Sequence, residues 1–446
     1  MHDITPPAQR QALAEKHRRT LSSSSQRSGR QATRLRLLRL WGRRYPHATP
    51  DTAPRRVLVI RPDHLGDLLF VTPTLHLLRA SLPDAHIAAL TGPWGEAVLA
   101  GNPDIDEILT CPFPGFTRQP KVNPLAPYRL LQTEARRLAA LDFDLSLALR
   151  FDHWWGAWLA AAAGIPQRLG YAIDEVQPFL TRAIPYVPGR HEVVQNLALA
   201  LAAADGEQLS VIGDRLALTA HRSPITDHRL PPTNPGEIDS DWRLRFAITP
   251  ADIAAADALL PVQPSRPLVA IHPGSGAAVK RWRSTAWAEL ARRLVEEHDA
   301  QVVFTGSAGE AELIEPVLAL LAAGPPLLSQ ALSLAGQTSL GVLAAVYRRC
   351  ALVIGPDSGP LHLAVAVGAP TVHLYGPVDR RTFGPWGSPQ HHAVVTSDWG
   401  CIPCNRLDWP DAALGEHGCV RDIAVEQVLA QAVQLLQLRS APEQAP

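Results

Sequence analysis

From residue 55 onward, short apolar runs alternate with segments of helical period, and this alternation narrows the fold more than any other feature. VLVI at 57–60 precedes a helical stretch at 73–83, and IAAL at 87–90 precedes a helix-like segment at 94–101. The strand-like run 141–149 is followed by an alanine-rich helix at 156–163. A strand, a helix and a further strand read as a βαβ unit, and a series of such units as a parallel sheet covered by helices. The series stops in a proline-rich, polar stretch at 221–245 and restarts with PLVAIHPGSG at 267–276. Its second half continues through a helix at 284–298, strands at 301–306 and 351–359, a last buried strand at 371–377 and a closing helix at 423–438. The pattern predicts an α/β chain with two domains, 55–220 and 246–440, joined by the connector 221–245. Ligands of such sheets bind beyond the carboxyl ends of the strands.

Composition sets the remaining bounds. A hydrophobic fraction of 46% supplies two full-size cores. No run of 18 apolar residues occurs, so no transmembrane helix is expected, and the N-terminus has no continuous apolar region of the secretory kind. The chain is therefore expected to be cytoplasmic. Five cysteines, an odd number, do not read as a secreted disulfide framework. The net charge of zero hides an asymmetry: residues 1–50 carry 11 basic and two acidic residues, leaving 31 basic and 40 acidic residues elsewhere. The first 30 residues are expected to be a disordered basic arm. RLRLLRLWGRR at 34–44 then reads either as a short amphipathic helix able to lie on an anionic membrane surface or as a solvated arm. With an acidic body and no nucleic-acid motif, nucleic acid is not an expected partner.

Three stretches carry candidate chemistry, each at a strand end. RPDHLGDLLF at 61–70 offers Asp63 and Asp67 around Gly66. Thr72-Pro73 is a natural helix start, so 63–71 is expected to be a loop that holds Asp67 out, Gly66 letting it swing, with Asp63 forming an Asx-type turn. No third ligand with metal spacing accompanies the two aspartates. HPGSGAAVKRW at 272–282 has Gly274, Ser275, Gly276 and Lys280, the parts of an anion-binding loop without Walker A spacing; an ordinary strand-to-helix turn is the plainer alternative. Lys280 is one of only three lysines among 42 basic residues, so a compact ammonium is kept where the composition favours arginine. GPDSGPLHLAVAVG at 355–368 places Asp357, Ser358 and Gly359 before a helix that carries His362 in its first turn. The N-terminus of such a helix suits a diphosphate, although Asp357 or Ser358 could simply cap it. Cys401, Cys404 and Cys419, with His417 as the nearest fourth ligand, read as a structural zinc set, a reduced cluster or a labile disulfide. Cys111 and Cys350 read as small buried apolar residues.

Taken in order, these stretches resemble glycosyltransferase family 9, the ADP-heptose:lipopolysaccharide heptosyltransferases. The resemblance runs through VLVIRPDHLGDLLFVTPTLHLLR, RLGY (168–171), HPGSG…KRW, GPDSGPLHLAVAVGAPTVHLYGP, GPWG (384–387) and the C-x-P-C cysteines, and spans roughly 55–435. It implies a GT-B fold, two Rossmann-like domains whose parallel sheets face a central cleft, the first holding acceptor and the second nucleotide sugar. It further implies inverting, metal-independent transfer without a cofactor. Asp67 then falls on the general base and Lys280 on the cation that neutralises the departing diphosphate. Ser275 and Gly276, with Gly274, become phosphate donors, and Asp357, Ser358, Gly359 and His362 contact donor sugar and phosphate. Glu310 or Glu312 falls near the acid that holds the nucleotide ribose. Asp63 and Gly66 lie on the acceptor side. The implied partners are ADP-heptose and a glycan or glycolipid acceptor, such as the lipopolysaccharide core, at the inner face of the membrane. A nucleotide-sugar epimerase and a non-catalytic nucleotide-sugar-binding protein are the alternatives.

Overall fold

The computed structural model describes residues 5–23, 29–45, 54–117, 123–205, 209–212, 215–218, 242–260, 266–324 and 331–440. Of the expected connector, 221–241 lie outside the described residues. The chain divides into two compact units, Gln26–Arg245 and Phe246–Pro446, the second joined by Met1–Ser25.

Helix α1 (Pro7–Ser23) belongs to the second unit and α2 (Gly29–Gly42) to the first. This corrects the expectation of a disordered arm over the first 30 residues. Helix α1 carries no apolar stripe, but Ala, Gln, Arg, Glu and Lys are strong helix formers. It is fixed by Ala14 and His17, both buried, by the Lys16–Glu416 ion pair at 2.6 Å, and by Arg10 against Asp398. His17 stacks on His417 with centroids 4.1 Å apart, and His417 stacks in turn on Trp409 at 3.8 Å.

The first unit holds six parallel strands: β1 (Arg56–Arg61), β2 (His86–Thr91), β3 (Glu107–Thr110), β4 (Leu145–Ala148), β5 (Gln167–Tyr171) and β6 (Arg182–Ile184). They lie in the order β3-β2-β1-β4-β5-β6. Between them run α3 (Leu65–Leu69), α4 (Thr72–Ser81), α5 (Glu96–Leu99), α6 (Ala126–Ala139) and α7 (Trp154–Ala162). Helix α8 (Glu192–Asp205) follows and packs on α4. The four internal residues of β1, Val57 to Ile60, are all buried, as expected of a strand covered on both faces. A two-stranded antiparallel pair, β7 (Leu209–Ile212) and β8 (Arg215–Leu218), closes the unit's described residues before Trp242.

The second unit repeats the plan. Its strands β9 (Leu268–Ile271), β10 (Gln301–Phe304), β11 (Leu332–Ser333), β12 (Leu352–Pro356), β13 (Thr371–Tyr375) and β14 (His392–Thr396) take the parallel order β11-β10-β9-β12-β13-β14. The helices are α9 (Pro250–Leu259), α10 (Ser284–His298), α11 (Ala311–Ala322), α12 (Leu340–Arg349), α13 (Gly359–Ala366), α14 (Arg380–Phe383) and α15 (Val425–Ser440). Strand β14 lies beyond the expected last strand at 371–377; its alternating burial marks an edge position that a short sequence run does not disclose. Both sheets have the doubly wound order, with its direction reversing between the first and fourth strands, where such sheets bind ligands. RPDHLGD leaves β1, HPGSG leaves β9 and DSG leaves β12, so all three stretches sit at a switch point.

Candidate active site

In the first unit the switch point is organised by a buried arginine. Arg61, the last residue of β1, is 3% exposed, and its guanidinium meets three carboxylates. Nε lies 2.6 Å from Asp63, Nη1 2.7 Å from Glu192 on α8, and Nη2 3.3 Å from Asp67. Nη1 also donates to the carbonyl of Leu149. A buried guanidinium is tolerated because each edge of the planar fork meets an acceptor. Arg150, just past the end of β4, adds a second cation against Asp63 and reaches Asp152 at 2.7 Å.

These contacts separate the two aspartates. Asp63 is buried; burial alone would raise its pKa, but Arg61 and Arg150 outweigh it and hold the carboxyl below the ordinary carboxylate range. The expected Asx turn at Asp63 is therefore replaced by ion pairs, and its backbone carbonyl accepts from Trp94 Nε1 at 2.8 Å. Asp67 keeps a third of its side chain exposed. Its pKa is pushed up to about 7 by burial first, then by the charge of Asp63 and, beyond the opposing pull of Arg61, by that of Glu192. A carboxyl that titrates near neutrality can take a proton at working pH.

The loop expected at 63–71 is also corrected. Residues 65–69 form α3, so Gly66 sits inside a right-handed helical turn rather than in a swinging loop, and Asp67 lies in its first turn. The helix start at Thr72-Pro73 is present, but Thr72 does not cap it; its hydroxyl donates to the carbonyl of Leu69 and accepts from the Arg245 N–H. Beside Arg150, His153 is buried and kept neutral, its pKa pushed down to about 4 mainly by burial, and its Nε2 has no hydrogen-bond partner among the described residues. RLGY is structural: Arg168 on β5 is buried and donates to the carbonyls of Phe179 and Ile165.

In the second unit, the loops after β9 and β12 bring Lys280 and Asp357 together at 3.1 Å. His362, in the first two turns of α13, lies 3.6 Å from the other oxygen of Asp357. Asp357 is buried, yet Lys280 and then His362 override desolvation and hold it well below the usual carboxylate range. Ser358 occupies the N-cap position of α13 but makes no capping bond, and its buried Oγ has no hydrogen-bond partner among the described residues. Ser275 Oγ, also buried, likewise lacks one. A buried hydroxyl without a partner is costly unless a ligand completes it. Two of them, one at the N-cap of α13 and one on the loop that leads to Lys280, make an arrangement suited to a bound anion.

Glu310 is the acid of the TGSAGEAE loop that joins this group. One oxygen accepts from the Ser307 N–H and hydroxyl at 2.8 Å, forming a capping box, while the other lies 4.0 Å from His272 Nε2. Glu312 is exposed on α11 instead. Gly274 makes this possible: a Cβ there would stand 2.0 Å from Glu310 Oε1. Gly276 is exposed on the same loop, and Gly359 opens α13.

The zinc alternative for Cys401, Cys404, Cys419 and His417 finds no support in the geometry. Among the described residues no three His, Cys, Asp or Glu side chains are grouped as a metal ion requires. His417 is committed to stacking between His17 and Trp409, Cys401 Sγ lies 3.8 Å from His17 Nδ1, and Cys401, Cys404 and Cys419 are not joined in a disulfide. Burial pushes the Cys419 thiol up to about 12, which makes it unreactive. Cys111 and Cys350 are buried, as their surroundings predict.

Sequence reasoning passed over Arg61, Arg150, His153 and Glu192. The first three had a readable signal, since LALRFDH at 147–153 repeats the strand-then-charge pattern of VLVIRPD on the neighbouring strand. Glu192 had none, because 131 residues separate it from Arg61.

Comparison with known proteins places these features. The sequence model of glycosyltransferase family 9 (heptosyltransferase) matches residues 133–408. Lipooligosaccharide heptosyltransferase 2 of Campylobacter jejuni is 29% identical over 170 residues, 38% of this chain; the match spans about half (51%) of that protein's length. Lipopolysaccharide heptosyltransferase 2 of Escherichia coli is 24% identical over 390 residues, covering 85% of this chain and 98% of the relative. Among solved structures, E. coli ADP-heptose lps heptosyltransferase II superimposes with a TM-score of 0.63 at 22% identity, covering 86% of this chain and 100% of that one, which is a likeness of fold.

Proposed function

The chain belongs to glycosyltransferase family 9, the heptosyltransferases, and from that premise we propose that it transfers heptose from ADP-heptose, with inversion and without a metal, to a hydroxyl of the lipopolysaccharide core or a related glycan. In this reading Asp67 is the general base. Its pKa near 7 is the observation that carries the proposal: the carboxyl is basic enough to take the acceptor's proton and still ionised in a large fraction of molecules at neutral pH. Arg61 orients it from 3.3 Å while Asp63 and Glu192 keep it from becoming too weak a base.

The leaving group is served by the second unit. As the bond from the anomeric carbon to the diphosphate breaks, negative charge builds on the phosphate oxygens. Lys280, held in place by Asp357, supplies the counter-charge, and Ser275 and Ser358 supply hydrogen bonds at the positive N-terminal end of α13. Donors fixed before the reaction need not reorganise as the charge appears. In this reading Glu310, whose carboxylate accepts hydrogen bonds from the Ser307 N–H and hydroxyl, also accepts from the ribose hydroxyls. The acceptor class puts the enzyme at the cytoplasmic face of the inner membrane.

The test is Asp67→Asn, assayed with ADP-heptose and a core acceptor extract. We expect kcat to fall by about 10²–10⁴-fold with donor affinity unchanged. Turnover within a few-fold of the parent enzyme removes Asp67 from the chemistry. Conversion of ADP-heptose in the absence of any acceptor replaces transfer by epimerisation.

A further inference from the structure

Helix α2 uses only part of its surface to hold the fold. Leu35 and Leu38 are buried, and Trp41 stacks on Trp158 with centroids 4.9 Å apart. Gly42 lets the helix end close against the chain at Pro178, where a Cβ would meet the carbonyl oxygen at 2.3 Å. With that side committed, Leu37 and Leu40 remain 44% and 55% exposed, one helical turn apart. The start of α6 adds Leu125 and Tyr128. These are four of the seven large apolar side chains exposed among the described residues, so the patch is a concentration and not scatter. A groove of about 520 Å³ runs beside them, lined by Arg34, Leu37, Leu38, Trp41, Tyr128 and Trp154.

The charge carried by α2 and its flanks has one sign. From His17 to Pro50 the chain holds nine arginines and no acidic residue. Arg34, Arg36, Arg39, Arg43 and Arg44 are exposed on or just beyond α2. Arg34 lies over the Trp154 ring at 5.9 Å, and Arg39 reaches Asp174 only through an exposed pair. Exposed leucines, rings with a polar edge, and arginines interleaved on one helix match a single kind of surface, a bilayer with phosphate headgroups above acyl chains. Nucleic acid would use the arginines and leave the leucines in water.

We propose that α2 and the start of α6 form a docking surface for an anionic phospholipid bilayer. Leu37, Leu40, Leu125 and Tyr128 enter the headgroup–acyl boundary, and the arginines pair with lipid phosphates. Docking of this kind takes two signals, an apolar one and an electrostatic one, and the surface carries both. The inference is independent of the transferase reading, because the assay contains neither donor nor acceptor.

The full chain is sedimented with vesicles of phosphatidylcholine alone or with roughly 30% phosphatidylglycerol, at low and high salt. We expect at least about tenfold stronger partition to the anionic vesicles, lost at high salt. Leu37→Asp with Leu40→Asp should reduce partition about tenfold or more with thermal unfolding unchanged, since neither side chain is in the core. Replacing Arg36, Arg39, Arg43 and Arg44 by Gln should abolish the preference for anionic lipid. Leu320→Asp, at an exposed leucine of the second unit, should leave partition as it is. Equal partition to both vesicles, or an unaffected Leu37/Leu40 variant, overturns the proposal. Recovery with native membranes but not with pure-lipid vesicles also overturns it, because a membrane protein is then the partner.

Discussion

Glu192→Gln should move the pH dependence of transfer while leaving the catalytic groups in place. Glu192 and Asp67 both contact the Arg61 guanidinium, at 2.7 and 3.3 Å. Their carboxylates are therefore within roughly 8 Å of each other, and two unit charges at that separation repel by about 2 kcal/mol at an effective dielectric of about 20. That repulsion corresponds to about 1.5 pH units in the titration of Asp67. A third of the Asp67 side chain meets water, and screening reduces the expected effect to about one pH unit. The direction is set by charge: removing a neighbouring anion favours the ionised form of Asp67, so its pKa falls. The amide of Gln keeps an oxygen for Arg61, which limits the structural cost. The measurement is kcat/KM for ADP-heptose consumption from about pH 5 to 9, where the acid limb reports the base of the free enzyme. The parent limb should lie near pH 7 and the variant limb near pH 6. At pH 6 the variant should then be the faster enzyme. A limb that stays in place, or one that moves upward, refutes the argument that the charge of Glu192 raises the pKa of Asp67.

Two further outcomes concern the second unit. Gly274→Ala puts a Cβ against the tip of Glu310, a flexible group that can swing away only by giving up its bonds to Ser307. Losing that cap should cost about 1 kcal/mol by thermal unfolding, and titration calorimetry should show weakened nucleotide binding. Lys280→Met should lower kcat by about 10²-fold or more, with a smaller effect on donor affinity. It also strips Asp357 of its main counter-charge, which should cost about 3 kcal/mol at pH 7. Asp357 is held below its unfolded pKa, so its stabilisation is present above about pH 4 and lost as pH falls further; the stability gap between parent and variant should close over that range in unfolding experiments.

The strand-ends that carry the site were legible because parallel strands buried on both faces write continuous apolar runs, as VLVI and LVAI do. Residues placed directly after such a run lie at a sheet edge, and so Asp67, Lys280 and Asp357 could be picked out from the sequence. Five residues of α3 are too few to display a helical period, and Gly66 within them reads as a turn. Helix α1 was obscured by its charge, which masks good local propensity. The choice of Glu310 over Glu312 was available in Ser307-Ala-Gly-Glu310, the S-x-x-E form of a capping box. Glu192 could not be read, since its role depends on where α8 lands and not on its neighbours in the chain.

The docking of α1 joins the two ends of the sequence in one piece of structure. Lys16 pairs with Glu416 across 400 residues, and the His17 ring rests on His417. During synthesis this helix leaves the ribosome well before Trp409 and His417, which receive it, are added. At about 5–20 residues per second, the interval is roughly 20–80 s. Until then α1 is a basic helix whose binding surface has not yet been made. The second unit is thus completed by a segment made long before the surface that receives it, and proteolysis between α1 and the rest of the chain removes the His17 ring from the stack on His417 and Trp409.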